Sequence, residues 1–328
     1  MVRSIVLAVI VGLMGMSADG QPTSGGVPPS TTAVATSEPD LLARPELLRR
    51  IAMYEAVVQR AEAAHYSAKG LVQVYAQLGG MYYSAAMFAK SEDAMRQAIA
   101  LLQDGPQDQL AAEISALARL HIAMGEVREA EREQLQALEI RESVGDPVGL
   151  ALTWNDLAMI YIKEQKFKKA LDYAQRAMVV IGDNPRVDSA DRVAIRPSLG
   201  SALCEAHDYV RAIPMLKDAL AVARSSFGPD SVSAAIASYI LGYAYWQSGD
   251  MVDASTWMQQ GTAGMKPDLG WGHPVYVDSM RQYARFLRAW GQLEAATNVE
   301  REVRQADAVV DARTLALRSS SLASKPSR

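Results

Sequence analysis

The side chains able to do chemistry in this chain are few and dispersed. The single cysteine, Cys204, has no second thiol to pair with, and no base adjoins it in sequence to make it a nucleophile. The four histidines, His65, His121, His207 and His273, stand far apart, whereas a zinc site needs several such ligands drawn together. No glycine-rich phosphate loop, His-Glu-x-x-His pair or Gly-x-Ser-x-Gly elbow occurs. No catalytic residue, cofactor or metal ligand is therefore assigned, and an enzyme without a recognisable signature stays the least favoured of three function classes.

What remains is recognition chemistry. Tyr239, Tyr243 and Trp246 offer rigid amphipathic surface, and Arg281, Arg285 and Arg288, spaced by four and three residues, share one helix face and can clamp a carboxylate. Arg119, Met159 and Lys163 hold comparable outward positions earlier in the chain, beside Asn155. Each has a plainer role to set against binding. Tyr243 and Trp246 can pack into a neighbouring element, and the arginines can be a solvated face. His121 takes a large aromatic position and reads as a core histidine, and His207 reads as a turn residue. Glu129, Glu131 and Glu133, interleaved with Arg128 and Arg132, read as a solvated helix face.

The elements that must position these residues are set by an internal repeat. The phrase LARLHIAMGEVREAEREQLQALEI begins at Leu117 and recurs, changed, from Leu78, Leu157, Leu199, Leu241 and Tyr283. These anchors are 39, 40, 42, 42 and 42 residues apart, a period that belongs to stacked units. A small residue follows each anchor, at Gly79, Ala118, Ala158, Gly200, Gly242 and Ala284, and lets two helix backbones approach closely. A turn follows at Gly125, Gly249 and Gly291, with Ala86, Gln165 and His207 in the same place elsewhere. A second helix then presents Ser91, Ala130, Ala170, Ala212, Ala254 or Ala296 to the first, with Met95, Leu216 and Met258 filling the gap beside them. Neither helix can bury its apolar face alone, so the units must stack. Turn signals such as GDP at Gly145–Pro147 and FGPD at Phe227–Asp230 separate them, and Pro197 is expected to bend its helix or delay its start.

This pattern resembles the tetratricopeptide repeat family over residues 66 to 305. Leu241, Gly242, Tyr245, Gly249, Ala254 and Gly261 follow the family order, as do Leu157, Ala158, Tyr161, Phe167, Ala170 and Ala177. The long period and the FGPD and GHP connectors are similar to the subclass found in kinesin light chains and many bacterial proteins. The resemblance implies an all-α fold, a right-handed α-solenoid of stacked two-helix repeats. It also implies a concave wall of first helices and binding of a peptide or protein segment. Scaffold residues are shared by unrelated binders, so it names no ligand.

The remaining sequence bounds the setting. Arg3, the apolar run Ile5–Met16 and small Ala18 and Gly20 read as a signal peptide over residues 1–20, cut before Gln21. A disordered linker is expected at 21–40, a capping helix at 41–65, about six repeats at 66–310 and a flexible tail at 311–328. A formal charge of -4 gives no electrostatic case for nucleic acid as a partner. The expectation is an exported, periplasmic or secreted interaction module without a membrane span after signal removal. The alternative is a structural scaffold of an envelope assembly.

Overall fold

A computed structural model describes residues 45–63, 68–85, 87–181, 187, 189–269 and 273–323. The expected signal peptide, the linker, His65 and Ala86 lie outside the described residues. Among the described residues the regular structure is entirely helical: α1 (Pro45–Ala63), α2 (Ala68–Ser84), α3 (Phe88–Leu102), α4 (Gln107–Met124), α5 (Val127–Val144), α6 (Pro147–Lys163), α7 (Phe167–Ile181), α8 (Ser189–Glu205), α9 (Tyr209–Phe227), α10 (Val232–Ser248), α11 (Met251–Leu269), α12 (Pro274–Ala289) and α13 (Leu293–Ala323). No described helix is long and apolar enough to cross a membrane.

The helices pair as the repeat requires: α2 with α3, α4 with α5, α6 with α7, α8 with α9, α10 with α11 and α12 with α13. Each pair then stacks on the next. The first helices of neighbouring pairs also touch, α4 with α6, α6 with α8 and α8 with α10, and so form a continuous wall. The result is an α-solenoid of two-helix repeats. α1 caps the first pair, where the Tyr82 hydroxyl donates to Glu55 at 2.5 Å and Lys90 donates to the same carboxylate at 2.9 Å.

Small residues decide how close the paired helices come. Ser91, Ala130, Ala170, Ala212, Ala254 and Ala296 are all at 0% exposure. A Cβ on Gly242 would stand 2.5 Å from the Met258 backbone nitrogen, and one on Gly200 would stand 2.5 Å from the Leu216 side chain. Two larger residues there would push the pair apart.

The turns obey backbone rules. Gly125, Gly249 and Gly291 have φ of 84°, 95° and 84°, and Gln165 and His207 adopt the same left-handed conformation at 61° and 60°. The connectors are helix starts: Asp146, Asp208 and Ser231 each accept the backbone N–H three residues on, and Pro147 and Pro274 sit in the first turn of their helices. Pro197 does not delay its helix, since α8 starts at Ser189 and runs through it. The chain end departs from expectation. α13 continues to Ala323, past the 310 boundary expected for the last repeat.

Candidate partner-binding wall

The positions picked out by repeat phase face the neighbouring pair, about one period away. Arg119 donates to Asp156 of the next pair at 3.1 Å. Lys163 Nζ donates back to the Ile122 carbonyl at 3.2 Å. Ser198 Oγ lies 3.2 Å from Met159 Sδ. The Tyr243 hydroxyl donates to Glu205 at 3.3 Å. Trp246 meets Phe286 edge-on, with ring centroids 5.7 Å apart, and touches Tyr243 at 6.0 Å. The wall is thus stitched together by the side chains selected as candidates for binding.

Two expectations are corrected by burial. Tyr239 and Tyr243 were expected to present an aromatic strip, but they are 0% and 3% exposed because neighbouring helices cover them. Met159 is likewise fully buried. The three arginines do not form one free basic strip beside them. Arg281 pairs with Asp278 at 2.8 Å and with Asp307 at 2.6 Å, and Arg288 grips Glu300 at 2.6 and 2.8 Å. Asp307 and Glu300 both belong to α13, so these two arginines bind the last helix pair together. Arg285 contacts Gln282 at 3.1 Å and stays exposed.

Burial shapes the electrostatics. Desolvation pushes the Lys163 ammonium down, against the Asp278 carboxylate three pairs along, which holds it up. Desolvation raises Asp278 more than Arg281 lowers it. Asp156 is raised by burial against the pull of Arg119 and Gln134. Gln134 donates to Asp156 at 2.5 Å and accepts from Ser115 at 3.0 Å, so four polar side chains join α4, α5 and α6. The hydroxyls of Ser201 and Tyr239 are buried without a hydrogen-bond partner among the described residues, as is that of Tyr83. Burial pushes the Tyr83 phenol up to about 12.

Residues that phase reasoning passed over include Asp156, Glu205 and Asp278, the acidic partners in this wall. Asp156 carries a readable signal, a carboxylate inside the apolar run LAMIYI and its preceding turn. His121 is buried as expected, but not among apolar groups alone: Nδ1 lies 2.7 Å from Glu133, and Glu92 and Glu126 flank Nε2 at 3.6 and 3.7 Å. Glu133 therefore leaves the solvated face where mixed charge had placed it. Cys204 is buried, its thiol pushed up by desolvation, which makes it a poor nucleophile.

Residues 109–178 and 193–266 match the Tetratricopeptide repeat family. None of the curated proteins matches the sequence. Among solved structures, BtubC (BKLC) from P. vanneervenii is 24% identical, with a TM-score of 0.54, covering 67% of this chain and 91% of its own. The apo form of RapI is 15% identical at a TM-score of 0.62, covering 82% and 94%. The Rap conjugation gene regulator of plasmid pLS20, solved with the Phr* peptide, is 14% identical at a TM-score of 0.66, covering 83% and 72%. Repeat phase, helix pairing and the family match agree that residues 109–178 and 193–266 are tetratricopeptide repeats.

Proposed function

We propose that this chain is a protein-interaction module whose inner wall holds a segment of another polypeptide. One observation carries the reading: Ser201 and Tyr239 place buried hydroxyls without hydrogen-bond partners among the described residues on the wall of first helices. A purely structural wall would carry apolar side chains there, because an unmade buried hydrogen bond costs about 1–3 kcal/mol. A polypeptide backbone supplies both donors and acceptors to such groups. The pLS20 regulator, of similar fold, was solved with a peptide, which supports the same use here. Tetratricopeptide folds usually serve as binding scaffolds, and we assign no reaction. The cell envelope is the proposed location, resting on residues 1–20 of the sequence alone.

The test is co-purification from the native envelope fraction, followed by titration of the recovered partner against Tyr239→Phe and Lys163→Ala. Unchanged affinity in both would remove the inner wall as the site. A scaffold role is the second reading, favoured by an exposed apolar edge. Val210 and Val252, each the second residue of its helix in adjacent pairs, are 87% and 69% exposed, and Leu293 follows at 59%. Loss of the partner on Val210→Glu and Val252→Glu, with the inner-wall variants still binding, would select that reading.

A further inference from the structure

Tyr83, at the end of the first helix of the first repeat, meets His273, at the start of the first helix of the sixth. The ring centroids are 5.7 Å apart and the planes cross at 82°, edge to face. Both residues are buried, although 190 positions separate them in sequence. The solenoid therefore winds back until its two ends touch. We propose that this contact is a clasp: the solenoid parts between its first and sixth repeats to let a polypeptide segment reach the inner wall, and closes again through these two rings. The proposal rests on the wall being the partner site.

Three observations support it. First, access: Met159, Tyr239, Tyr243 and Cys204 are at most 3% exposed beneath neighbouring helices of the stack, which spread from one another as the two ends of the solenoid separate. Second, the seam is slight. Extended packing among the described helices joins neighbours in the stack, and no such packing joins α2 to α12. Stacked repeats are held along whole helices, whereas one edge-to-face pair biases an opening equilibrium by about tenfold. The seam is the place where the solenoid parts at least cost. Third, the Tyr83 hydroxyl, on one ring of this contact, is buried without a hydrogen-bond partner among the described residues, and parting of the seam gives it a route to water. His273 is held in place independently, since its Nδ1 accepts the Val275 N–H at 3.3 Å and caps α12. The clasp can thus release without unwinding the helix that carries it.

Cys204 is a built-in reporter, a buried thiol on the wall beside Tyr243. The experiment follows its alkylation by N-ethylmaleimide in the full chain, by mass of the peptide that contains it. Tyr83→Leu keeps an apolar side chain in the cluster with Met95, Leu117 and Leu120. His273→Asn keeps a helix-capping acceptor. Both should speed alkylation by about tenfold, the weight of one aromatic pair in the opening equilibrium. Tyr83→Cys with His273→Cys, joined by a short bis-maleimide, should slow it by at least about tenfold, the converse of that release. Wild-type rates in the joined chain, or in both single variants, would overturn the clasp. So would a urea dependence of alkylation as steep as that of global unfolding. No partner is needed for these measurements. A chain that opens as described but binds nothing at its wall would remove the functional reading alone. A recovered partner that binds the covalently joined chain with undiminished affinity would remove the clasp alone.

Discussion

Arg119 reaches out of one helix pair to donate a 3.1 Å hydrogen bond to Asp156 in the next, and that carboxylate is only 2% exposed. Gln134 donates to the same oxygen from the intervening second helix. A buried carboxylate held from two helices fixes the register between repeats, which apolar packing of alanines and leucines fixes less sharply. The cost is visible in the direction of its pKa, raised because desolvation outweighs both partners.

Replacing Asp156 with Ala should destabilise the chain by about 2–4 kcal/mol, because Arg119 and Gln134 then lose their acceptor in a largely dry place. Arg119 retains some solvent access, which keeps the figure below that of a fully enclosed pair. Urea denaturation is the measurement. A change under about 0.5 kcal/mol would mean that the network contributes no more than a surface pair.

Ala170→Leu tests the contact between paired helices. Ala170 has no exposure, and its counterparts in the other repeats are equally buried. A larger side chain should overpack α6 against α7 and cost roughly 1–3 kcal/mol. An unchanged denaturation midpoint would contradict the close approach of the two helices.

The raised acids give a pH dependence of definite sign. Glu113 is pushed above its ordinary 4.5, first by desolvation, with the Arg119 charge opposing. A group raised on folding stabilises below its unfolded pKa, and that contribution is lost as pH rises through the folded value. Glu113→Gln should therefore gain stability relative to wild type at neutral pH. The difference should shrink as pH falls toward the ordinary glutamate range. Thermal midpoints of the two proteins across that interval decide it, and a constant gap between them would refute the assignment.

Much of this architecture is legible from residue spacing, and the limits of legibility have physical causes. The anchors and the small residues at Ala118 or Ala254 report contacts within one repeat, so a local period suffices to find them. Gln165 and His207 show the turn position to be dictated by the repeat more than by residue type, since both take a conformation that glycine adopts freely. Phase shows which side chains share a face but not what later comes to cover that face. Tyr239 and Tyr243 look exposed until the next repeats are stacked on them. Tyr83 and His273 meet through the accumulated curvature of the whole stack, which no single period encodes. The pairing of Arg281 and Arg288 with Asp307 and Glu300 had a visible sign, equal spacings of seven residues on two antiparallel helices. Reading it required knowing which face α13 turns to α12.

Tyr239→Phe separates a wall built for binding from one built for packing. The Tyr239 ring is buried against the solenoid interior, and its hydroxyl lacks a hydrogen-bond partner among the described residues. Burial drives its pKa well above the ordinary phenol value, so it stays a neutral O–H group throughout the working range. Removing that oxygen takes away an unsatisfied polar group while keeping the ring, so the free protein should gain about 1 kcal/mol in urea denaturation. If a bound segment supplies the missing acceptor, the same change should weaken the recovered partner by about 0.5–1.5 kcal/mol, the net value of one hydrogen bond. Stability and affinity then move in opposite directions, a pattern that a packing role does not produce. A variant that loses stability would show that the hydroxyl already has a use in the free protein. A variant that gains stability and binds with undiminished affinity would show that no partner engages it.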